Sequence, residues 1–353
     1  MRLAAIASAL AIMLCAAVFG AIFLQRTSVS GPAPSPALAA PGEEPASAIG
    51  ASARVDAART APGTTEQPMV VAQAAPAAAP TTCSNPNGLG VARTVEIDTT
   101  GGPGFGFEHF KSHDFLREGE IVLTFDDGPW PRNTPNVLAA LAAHCTKAIF
   151  FPIGLHATYE PGILKQVAAG GHAVGSHTWC HQDLSKTKGK CQISGKTQAY
   201  EYDPKDEIEK GISAVRWAVG GPTAPFFRFP ALRQPQELID YLGKRNIAIF
   251  STDLDSFDFK MRKPEQVRQS VMAKLKKHGK GIVLLHDFQH ATGDGAMDLL
   301  NDLKAGGYKV VFMKPKFSVQ TLPAYDEQVL KLVKGPGGGD ARPTSSVVKT
   351  IAE

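Results

Sequence analysis

The sequence predicts an α/β fold in which a mostly parallel sheet closes into a barrel. Short apolar segments alternate about seven times with helical patterns, as they do in barrels and in open doubly wound sheets. The segments have no polar face, which is typical of parallel strands that helices cover on both sides. Most segments also end in polar side chains. Because barrels draw their functional groups from the C-terminal ends of several strands, we favour the barrel over the open sheet.

The predicted strands are apolar runs rich in β-branched and aromatic residues. In chain order they read EIVLTFDD, KAIFFPIG, HAVGSHT, APFFRFP, IAIFSTDLD, GIVLLHD and YKVVFM. The predicted helices read TPNVLAALAAH, EPGILKQVAAG, DPKDEIEKGISAVRWAVG, QPQELIDYLGKRN, PEQVRQSVMAKLKKHG and AMDLLNDLKAGG. In the third helix we expect Asp203 at the N-cap and Pro204 as the first helical residue, because both residue types suit the exposed amides there.

The two ends of the chain are predicted to lie outside the folded domain. The first 27 residues contain an uncharged apolar run of the length that crosses a bilayer, about 20 residues, so 1–27 is predicted to be a signal peptide or a membrane anchor. Residues 28–81 are rich in Ala and Pro and are predicted to be a disordered linker, because large apolar side chains are too few to offset the entropy of ordering. Residues 333–353 are predicted to be a disordered tail for the same reason. The folded domain is expected to span 82–332.

Charge and cysteine content narrow the class of protein. The net charge is +4 and the pI is near 8.7, and no cluster of basic and aromatic residues indicates nucleic acid as a partner. The apolar N-terminus instead indicates export, with the domain in the periplasm or at the cell surface, anchored to the membrane or secreted. In an exported domain four cysteines could form two disulfides, in any of three connectivities. We favour Cys180 with Cys191, which would close a short polar loop, and therefore Cys83 with Cys145.

Two histidines and two aspartates have the pattern of a metal site. His177 and His181 are four residues apart, a spacing that on a helical turn places both imidazoles on one face. Asp126 and Asp127 follow a strand predicted to be buried, where two like charges are costly unless a cation lies nearby. A turn or N-cap role would explain one of these aspartates but not both. Two imidazoles and one carboxylate match an open zinc-type site, with the second carboxylate free to accept a proton from water. Spacing alone does not decide which aspartate has which role.

Three further charged residues follow or flank apolar runs. His286 ends the predicted strand IVLLH and is the candidate acid, because its ordinary pKa near 6.5 is easily tuned; a core histidine bonded to a backbone carbonyl is the alternative. Arg228 and Asp258 could each be half of a structural ion pair. If they reach the site, Arg228 would keep Asp126 ionised and Asp258 would orient His286.

Together these motifs resemble the NodB-like polysaccharide deacetylases of carbohydrate esterase family 4. The resemblance covers about residues 115–320 and comprises, in the family's order, TFDDGP, HTWCH, RFP, DSFDF and LLH. It implies a distorted (β/α)7 barrel for the domain at 82–332. It also implies metal-dependent removal of acetyl groups from sugars, most often the N-acetyl group of a glucosamine unit. The implied substrate is an acetylated polysaccharide or oligosaccharide, such as peptidoglycan or a chitin-like oligomer.

The family's functional residues carry over position by position. The resemblance implies a divalent metal, most often zinc, although cobalt, manganese or nickel would also fit. It implies that Asp126 is the base and His286 the acid. It implies three metal ligands, which are Asp127, His177 and His181. Arg228 would tune the base, Asp258 would tune the acid, and the backbone amide of Ala231 would act as a donor.

Two positions depart from the family's pattern and leave the substrate open. Ala231 stands where an aromatic residue often forms a wall of the sugar groove, and Phe259 replaces the usual Trp. Both changes reduce the area available for stacking, whereas a backbone amide survives substitution by Ala. Two other functions remain as alternatives: a catalytically inactive glycan-binding barrel, and a deacetylase of a small amide or ester.

Overall fold

The structure is a computed structural model that describes residues 85–193 and 196–334. The predicted N-terminal segment 1–27 and the linker 28–81 lie outside the described residues, as does the predicted tail 333–353 except for its first two residues, which continue the last helix. The other boundaries stay predictions. Cys83 also lies outside the described residues, so its pairing with Cys145 stays a prediction. Among the helices of the described part, none is both long enough and apolar enough to cross a membrane.

Strands and helices alternate along the described residues, as the sequence predicted. The strands are β1 (Arg93–Ile97), β2 (Gly104–Phe105), β3 (Glu120–Asp126), β4 (Ile149–Phe151), β5 (Ala173–Val174), β6 (Lys188–Ile193), β7 (Lys196–Glu201), β8 (Phe226–Phe227), β9 (Ala248–Phe250), β10 (Leu254–Asp255), β11 (Gly281–His286) and β12 (Lys309–Pro315). The α-helices are α1 (Asn133–Ala143), α2 (Gly154–Tyr159), α3 (Pro161–Ala169), α4 (Pro204–Val219), α5 (Gln236–Lys244), α6 (Pro264–His278), α7 (His290–Ala305) and α8 (Pro323–Lys334). All the predicted strands and helices are present, and the run IAIFSTDLD is divided between β9 and β10.

The parallel strands close into a distorted barrel around β3. β3 is buried along its whole length. One edge of β3 pairs in parallel with β11. The other edge pairs with β12 at the start of β3 and with β4 at its end. β4 continues to β5, and a bridge between Ser176 and Phe227 joins β5 to β8. β8 pairs with β9, the chain runs on from β9 into β10, and β10 pairs with β11. The predicted α/β barrel is therefore confirmed.

Local sequence explains the ends of α4 as expected. The side chain of Asp203 accepts hydrogen bonds from the amides of Lys205 and Asp206 at 2.7 and 3.4 Å, and Pro204 begins the helix. Gly220 ends it with φ of 70°, a left-handed conformation that glycine adopts without steric cost. The helix is thereby held at both ends beneath the loop that carries His177 and His181.

The antiparallel pair of β6 and β7 was not predicted from the sequence. Its residues are mostly exposed and do not alternate between apolar and polar types, so no strand pattern marks them. A disulfide between Cys180 and Cys191, the pairing favoured above, ties β6 to the loop after β5. Cys191 is the buried residue of β6, so the disulfide anchors an otherwise solvated element beside His181.

Candidate active site

The polar residues predicted to form the site meet at the C-terminal ends of the barrel strands. Asp126 is the last residue of β3 and His286 the last residue of β11, and the two are paired in register. Arg228 directly follows β8. Because the strands are parallel, their C-terminal ends share one edge of the barrel, and side chains far apart in sequence are brought together there.

Arg228 is fully buried and binds the carboxylate of Asp126. Its Nη1 donates to Asp126 Oδ1 at 2.7 Å and to Thr124 Oγ1 at 2.8 Å, and its Nη2 donates to the carbonyl oxygen of Ser251 at 2.8 Å. The guanidinium also lies over the ring of Phe151, 4.5 Å from its centroid. These bonds compensate for taking both charges out of water, which an unpaired buried charge could not do. They fix Asp126 Oδ1 and leave Oδ2 facing His177.

Asp127 turns its carboxylate towards the two histidines. Its φ of 74° is unusual for a residue other than glycine, and its amide donates to the carbonyl oxygen of Phe151 at 3.2 Å. Its buried Oδ1 has no hydrogen-bond partner among the described residues, yet it lies 3.5 Å from His177 Nε2 and 3.4 Å from His181 Nε2. Burial raises the pKa of Asp127, but the neighbouring histidine charges outweigh burial and hold its pKa below the ordinary value.

His177 and His181 lie on a turn rather than on the helical turn that their spacing suggested. Thr178 and His181 have left-handed φ values of 68° and 53°, which end any helix. The turn is held by its neighbours: the carbonyl oxygen of Thr178 accepts from the amide of Gly154 at 2.9 Å, and the amide of Cys180 donates to the buried carboxylate of Glu207 at 2.9 Å. The predicted proximity is confirmed even though the backbone conformation differs.

The two imidazoles differ in their surroundings. His177 is buried, and its Nδ1 lies 2.7 Å from the carbonyl oxygen of Arg228. Since a carbonyl can only accept, Nδ1 carries the proton and Nε2 presents its lone pair to Asp127. Burial lowers the pKa of His177 to about 4, so this ring is neutral at neutral pH. The side chain of His181 is 41% exposed.

Asp127, His177 and His181 fit a divalent cation. One ligand atom from each lies within 4.8 Å of the other two. An unpaired carboxylate oxygen and a fixed, neutral imidazole are the features that a divalent cation would explain, because buried polar atoms are otherwise paired. Two imidazoles and one carboxylate form a ligand set that zinc accepts while leaving a coordination position open.

His286 is held by the buried carboxylate of Asp258. Asp258 Oδ1 lies 2.6 Å from His286 Nδ1, and Oδ2 accepts from the amide of His286 at 2.8 Å and from the hydroxyl of Thr292 at 2.5 Å. Burial lowers the pKa of His286, but the hydrogen bond and charge of Asp258, together with the charges of Asp127 and Asp126, raise it to about 10. The Nε2 atom faces Asp127 Oδ2 at 4.0 Å. A protonated imidazole therefore stands beside Asp127, on the strand next to that of Asp126.

Ala231 lies in the short 3₁₀ turn Pro230–Leu232 that follows Arg228. It is exposed and has a left-handed φ of 52°. The amides of Leu232 and Arg233 close the turn by donating to the carbonyl oxygens of Phe229 and Pro230 at 3.0 and 3.2 Å. The turn therefore stands at the same strand end as Arg228, and the role of the Ala231 amide stays a prediction.

Sequence reasoning missed two residues beneath the site. Asp287 is buried and accepts from the amide of Gly128 at 3.2 Å and from the hydroxyl of Thr134 at 2.5 Å. Burial, followed by the charge of Asp127, raises the pKa of Asp287 to about 7. His156 Nδ1 donates to the carbonyl oxygen of Asp127 at 2.7 Å. A carboxylate directly after a buried strand could have drawn attention to Asp287, but no pattern marks His156.

Comparisons with known proteins bear on this arrangement. Residues 115–249 match the family model described as polysaccharide deacetylase, a range that contains the metal cluster but ends before Asp258 and His286. The peptidoglycan-N-acetylglucosamine deacetylase PgdA of Listeria monocytogenes is 32% identical over 197 residues, which are 54% of this chain and 37% of that protein. A chitooligosaccharide deacetylase of Bradyrhizobium is 31% identical over 167 residues, which are 47% of this chain and 70% of that protein. The chain belongs to the polysaccharide deacetylase family.

A solved structure agrees with this assignment. The peptidoglycan deacetylase Bd3279 of Bdellovibrio bacteriovorus superposes with a TM-score of 0.54 at 29% identity, over 64% of this chain and 59% of that one. Members of the polysaccharide deacetylase family are hydrolases that act on carbohydrate amides. The matched region spans little more than a third of PgdA, so similarity to this relative concerns the barrel domain.

Proposed function

We propose that the protein is a metal-dependent hydrolase that removes acetyl groups from a cell-envelope or extracellular polysaccharide, most simply the N-acetyl groups of glucosamine units. The observation that carries the proposal is the position of two buried pairs beside the candidate metal ligands. Asp126 held by Arg228 and His286 held by Asp258 end neighbouring strands, and both lie beside Asp127 and its two histidines. Peptidoglycan and chitin-like oligomers are the proposed substrates, since the two relatives are a peptidoglycan deacetylase and a chitooligosaccharide deacetylase.

In this proposal Asp127, His177 and His181 hold a divalent cation, with zinc favoured for the ligand set and cobalt, manganese or nickel as alternatives. When bound, such a cation lowers the pKa of water and polarises a carbonyl oxygen. Asp127 contributes negative charge, and His177 contributes a lone pair whose direction the carbonyl oxygen of Arg228 sets.

Asp126 and His286 then move protons in opposite directions. Asp126 Oδ2 accepts a proton from the attacking water, because Oδ1 is occupied by Arg228. His286 Nε2 gives its proton to the sugar nitrogen as the carbon–nitrogen bond breaks, since Asp258 holds the proton on Nδ1. The products are acetate and an amino sugar, and the proton gained by Asp126 balances the one lost by His286. The amide of Ala231 donates to the oxygen that becomes negative during attack.

The same proposal places the domain outside the cytoplasm. The disulfide between Cys180 and Cys191 is of a kind that persists in oxidising compartments, and a cell-wall or extracellular polymer lies there. The segment 1–27 would then serve as the signal peptide or membrane anchor.

The test measures acetate released from acetylated chitooligosaccharides and from peptidoglycan, with and without a chelator. We expect release that the chelator abolishes and added metal restores. Asp126→Asn should lower turnover by about 10² to 10⁴-fold while sparing metal binding, whereas His181→Ala should weaken both. His278→Ala, at the exposed end of α6, is the matched control and should change neither.

Absence of metal-dependent release from every N- or O-acetylated glycan would reject this function. Glycan binding by an inert wild-type protein would then favour the inactive binding barrel. Release from small amides or esters, with none from polymers, would favour the small-substrate alternative.

A further inference from the structure

Three aromatic side chains, two of them exposed and Phe288 partly buried, form a strip of neighbouring rings beside His286. The ring of Phe259 lies 5.7 Å from that of His286, the ring of Phe288 lies 6.4 Å from that of His286, and the ring of Trp130 lies 6.2 Å from that of Phe288. Trp130 is 42% exposed and Phe259 is 48% exposed. Large aromatic rings are usually among the most buried groups of a domain, so exposed rings next to a reactive centre indicate a ligand surface.

The rings of the strip are not equally available to a ligand. Lys260 Nζ lies over the ring of Phe259, 5.2 Å from its centroid. The same Nζ lies over the neighbouring ring of Phe257 at 4.5 Å, and Lys274 Nζ lies over Phe257 at 4.2 Å. Trp130 has edge-type contacts with His156 and Phe288, and among the described residues no lysine or arginine lies over its ring. Trp130 is therefore the largest ring of the strip that is left open to a ligand.

Trp130 is also held in place by buried groups. Its amide donates to Thr134 Oγ1 at 2.8 Å, and the hydroxyl of Thr134 donates to the buried carboxylate of Asp287 at 2.5 Å. Asp287 accepts from the amide of Gly128 as well, so the turn that presents Asp127 also positions Trp130. A ring positioned before binding loses little conformational entropy when a ligand stacks on it.

We propose that Trp130, supported by Phe288, is a stacking subsite for a sugar unit next to the one being deacetylated. The proposal rests on the proposed function, because it assumes that the reacting acetyl group lies between Asp126 and His286. A pyranose ring presents an apolar face of C–H groups that packs on an aromatic ring. The strip runs from His286 to Trp130 in two ring-to-ring steps, each comparable with the length of one sugar unit. The substrate is therefore a glycan of several units rather than a single acetylated sugar.

The first test compares N-acetylated chitooligosaccharides from monomer to pentamer as substrates of the metal-loaded full-length protein. In Trp130→Ala, the ratio of kcat/KM for pentamer to that for monomer should fall by about 3- to 10-fold, mainly through KM. Trp130→Phe, which keeps a ring, should retain most of the ratio. Phe317→Ala is the matched control: Phe317 is 53% exposed and follows β12, but Lys316 Nζ lies over its ring at 5.1 Å. Among the described residues its ring has no contact with Phe259, Phe288 or Trp130, so the ratio should not change.

An equal loss at every chain length in Trp130→Ala would overturn the subsite, as would a loss in Trp130→Phe as large as that in Trp130→Ala. A loss confined to peptidoglycan that carries peptide stems would also overturn it, because the ring would then recognise peptide. If the wild type releases no acetate from any glycan, the proposed function fails instead.

A second test measures binding without turnover. Of the three tryptophans, Trp130 is exposed, whereas Trp179 is buried and Trp217 is partly buried. In Asp126→Asn, the pentamer should therefore protect tryptophan fluorescence from iodide quenching, and this protection should disappear when Trp130→Phe is added. Unchanged quenching at pentamer concentrations well above the KM of the wild type would overturn the proposal.

Discussion

The site has a buried centre and an open rim, and the two differ in what holds their side chains. In the centre, Asp126, Arg228 and Asp258 are almost completely buried, and each has a charged partner. On the rim, His181 and Trp130 are each about two-fifths exposed and lie on loops. Charges interact strongly in the low dielectric of the centre and weakly near water. We therefore expect changes in the centre to affect chemistry and folding, and changes on the rim to affect ligand choice and affinity.

Arg228→Met should have the largest effect, because it leaves the buried carboxylate of Asp126 without its cation. We expect turnover to fall by about 10³-fold and the free energy of unfolding to fall by about 3 to 5 kcal/mol. Acetate release and urea denaturation measure the two quantities. Arg268→Met is the matched control, because Arg268 forms partly exposed ion pairs with Asp298 and Asp302. It should leave turnover unchanged and cost about 1 kcal/mol or less. Equal costs for the two substitutions would show that burial does not set the worth of the pair between Arg228 and Asp126.

Asp258→Asn should have the next largest effect, and its size should depend on pH. The charge of Asp258 helps to raise the pKa of His286 to about 10 against the effect of burial. Without this charge the pKa of His286 falls, so the imidazole loses its proton at lower pH and the alkaline limb of the kcat/KM profile moves to lower pH. At alkaline pH we expect a loss of about 10- to 100-fold, with a smaller loss below pH 6.

The exposed Asp294 offers a comparison for this change. Asp294→Asn should leave the pH profile of kcat/KM unchanged. An alkaline limb that stays in place in Asp258→Asn would show that His286 does not act as the acid.

Removing the disulfide of the rim should have the smallest effect on turnover. The double variant Cys180→Ser, Cys191→Ser opens a short loop, with 11 residues of separation, and should lower the free energy of unfolding by about 2 to 3 kcal/mol. Because Cys180 precedes His181, metal affinity should fall, but turnover at saturating metal should stay within about tenfold of wild type. Calorimetric metal titration and acetate release measure these quantities. A loss of turnover as large as that in Arg228→Met would place the disulfide among the essential supports of the site.

Much of the fold could be predicted because burial leaves a local pattern. β3, β11 and the other central strands are apolar on both faces, and α4 carries its own start and stop residues in Asp203, Pro204 and Gly220. β6 and β7 could not be predicted, because their exposed polar residues have no periodicity. The turn of His177 and His181 was predicted as helical, because a spacing of four fits a helix and a tight turn equally well. His156 was missed because its role depends on a backbone carbonyl of another segment.

The sequence by itself determined the fold class, the presence of a candidate metal site and the identity of its residues, because those depend on residue type, spacing and local periodicity. Only the tertiary structure decided which member of the Asp126–Asp127 pair contacts which partner. Asp126 ends β3 in an extended conformation and binds Arg228, which follows β8, whereas the left-handed backbone of Asp127 turns the next carboxylate towards His177 and His181. Neighbouring residues in a strand and the turn after it point in directions that depend on backbone angles and strand register, and neither can be read from two adjacent letters.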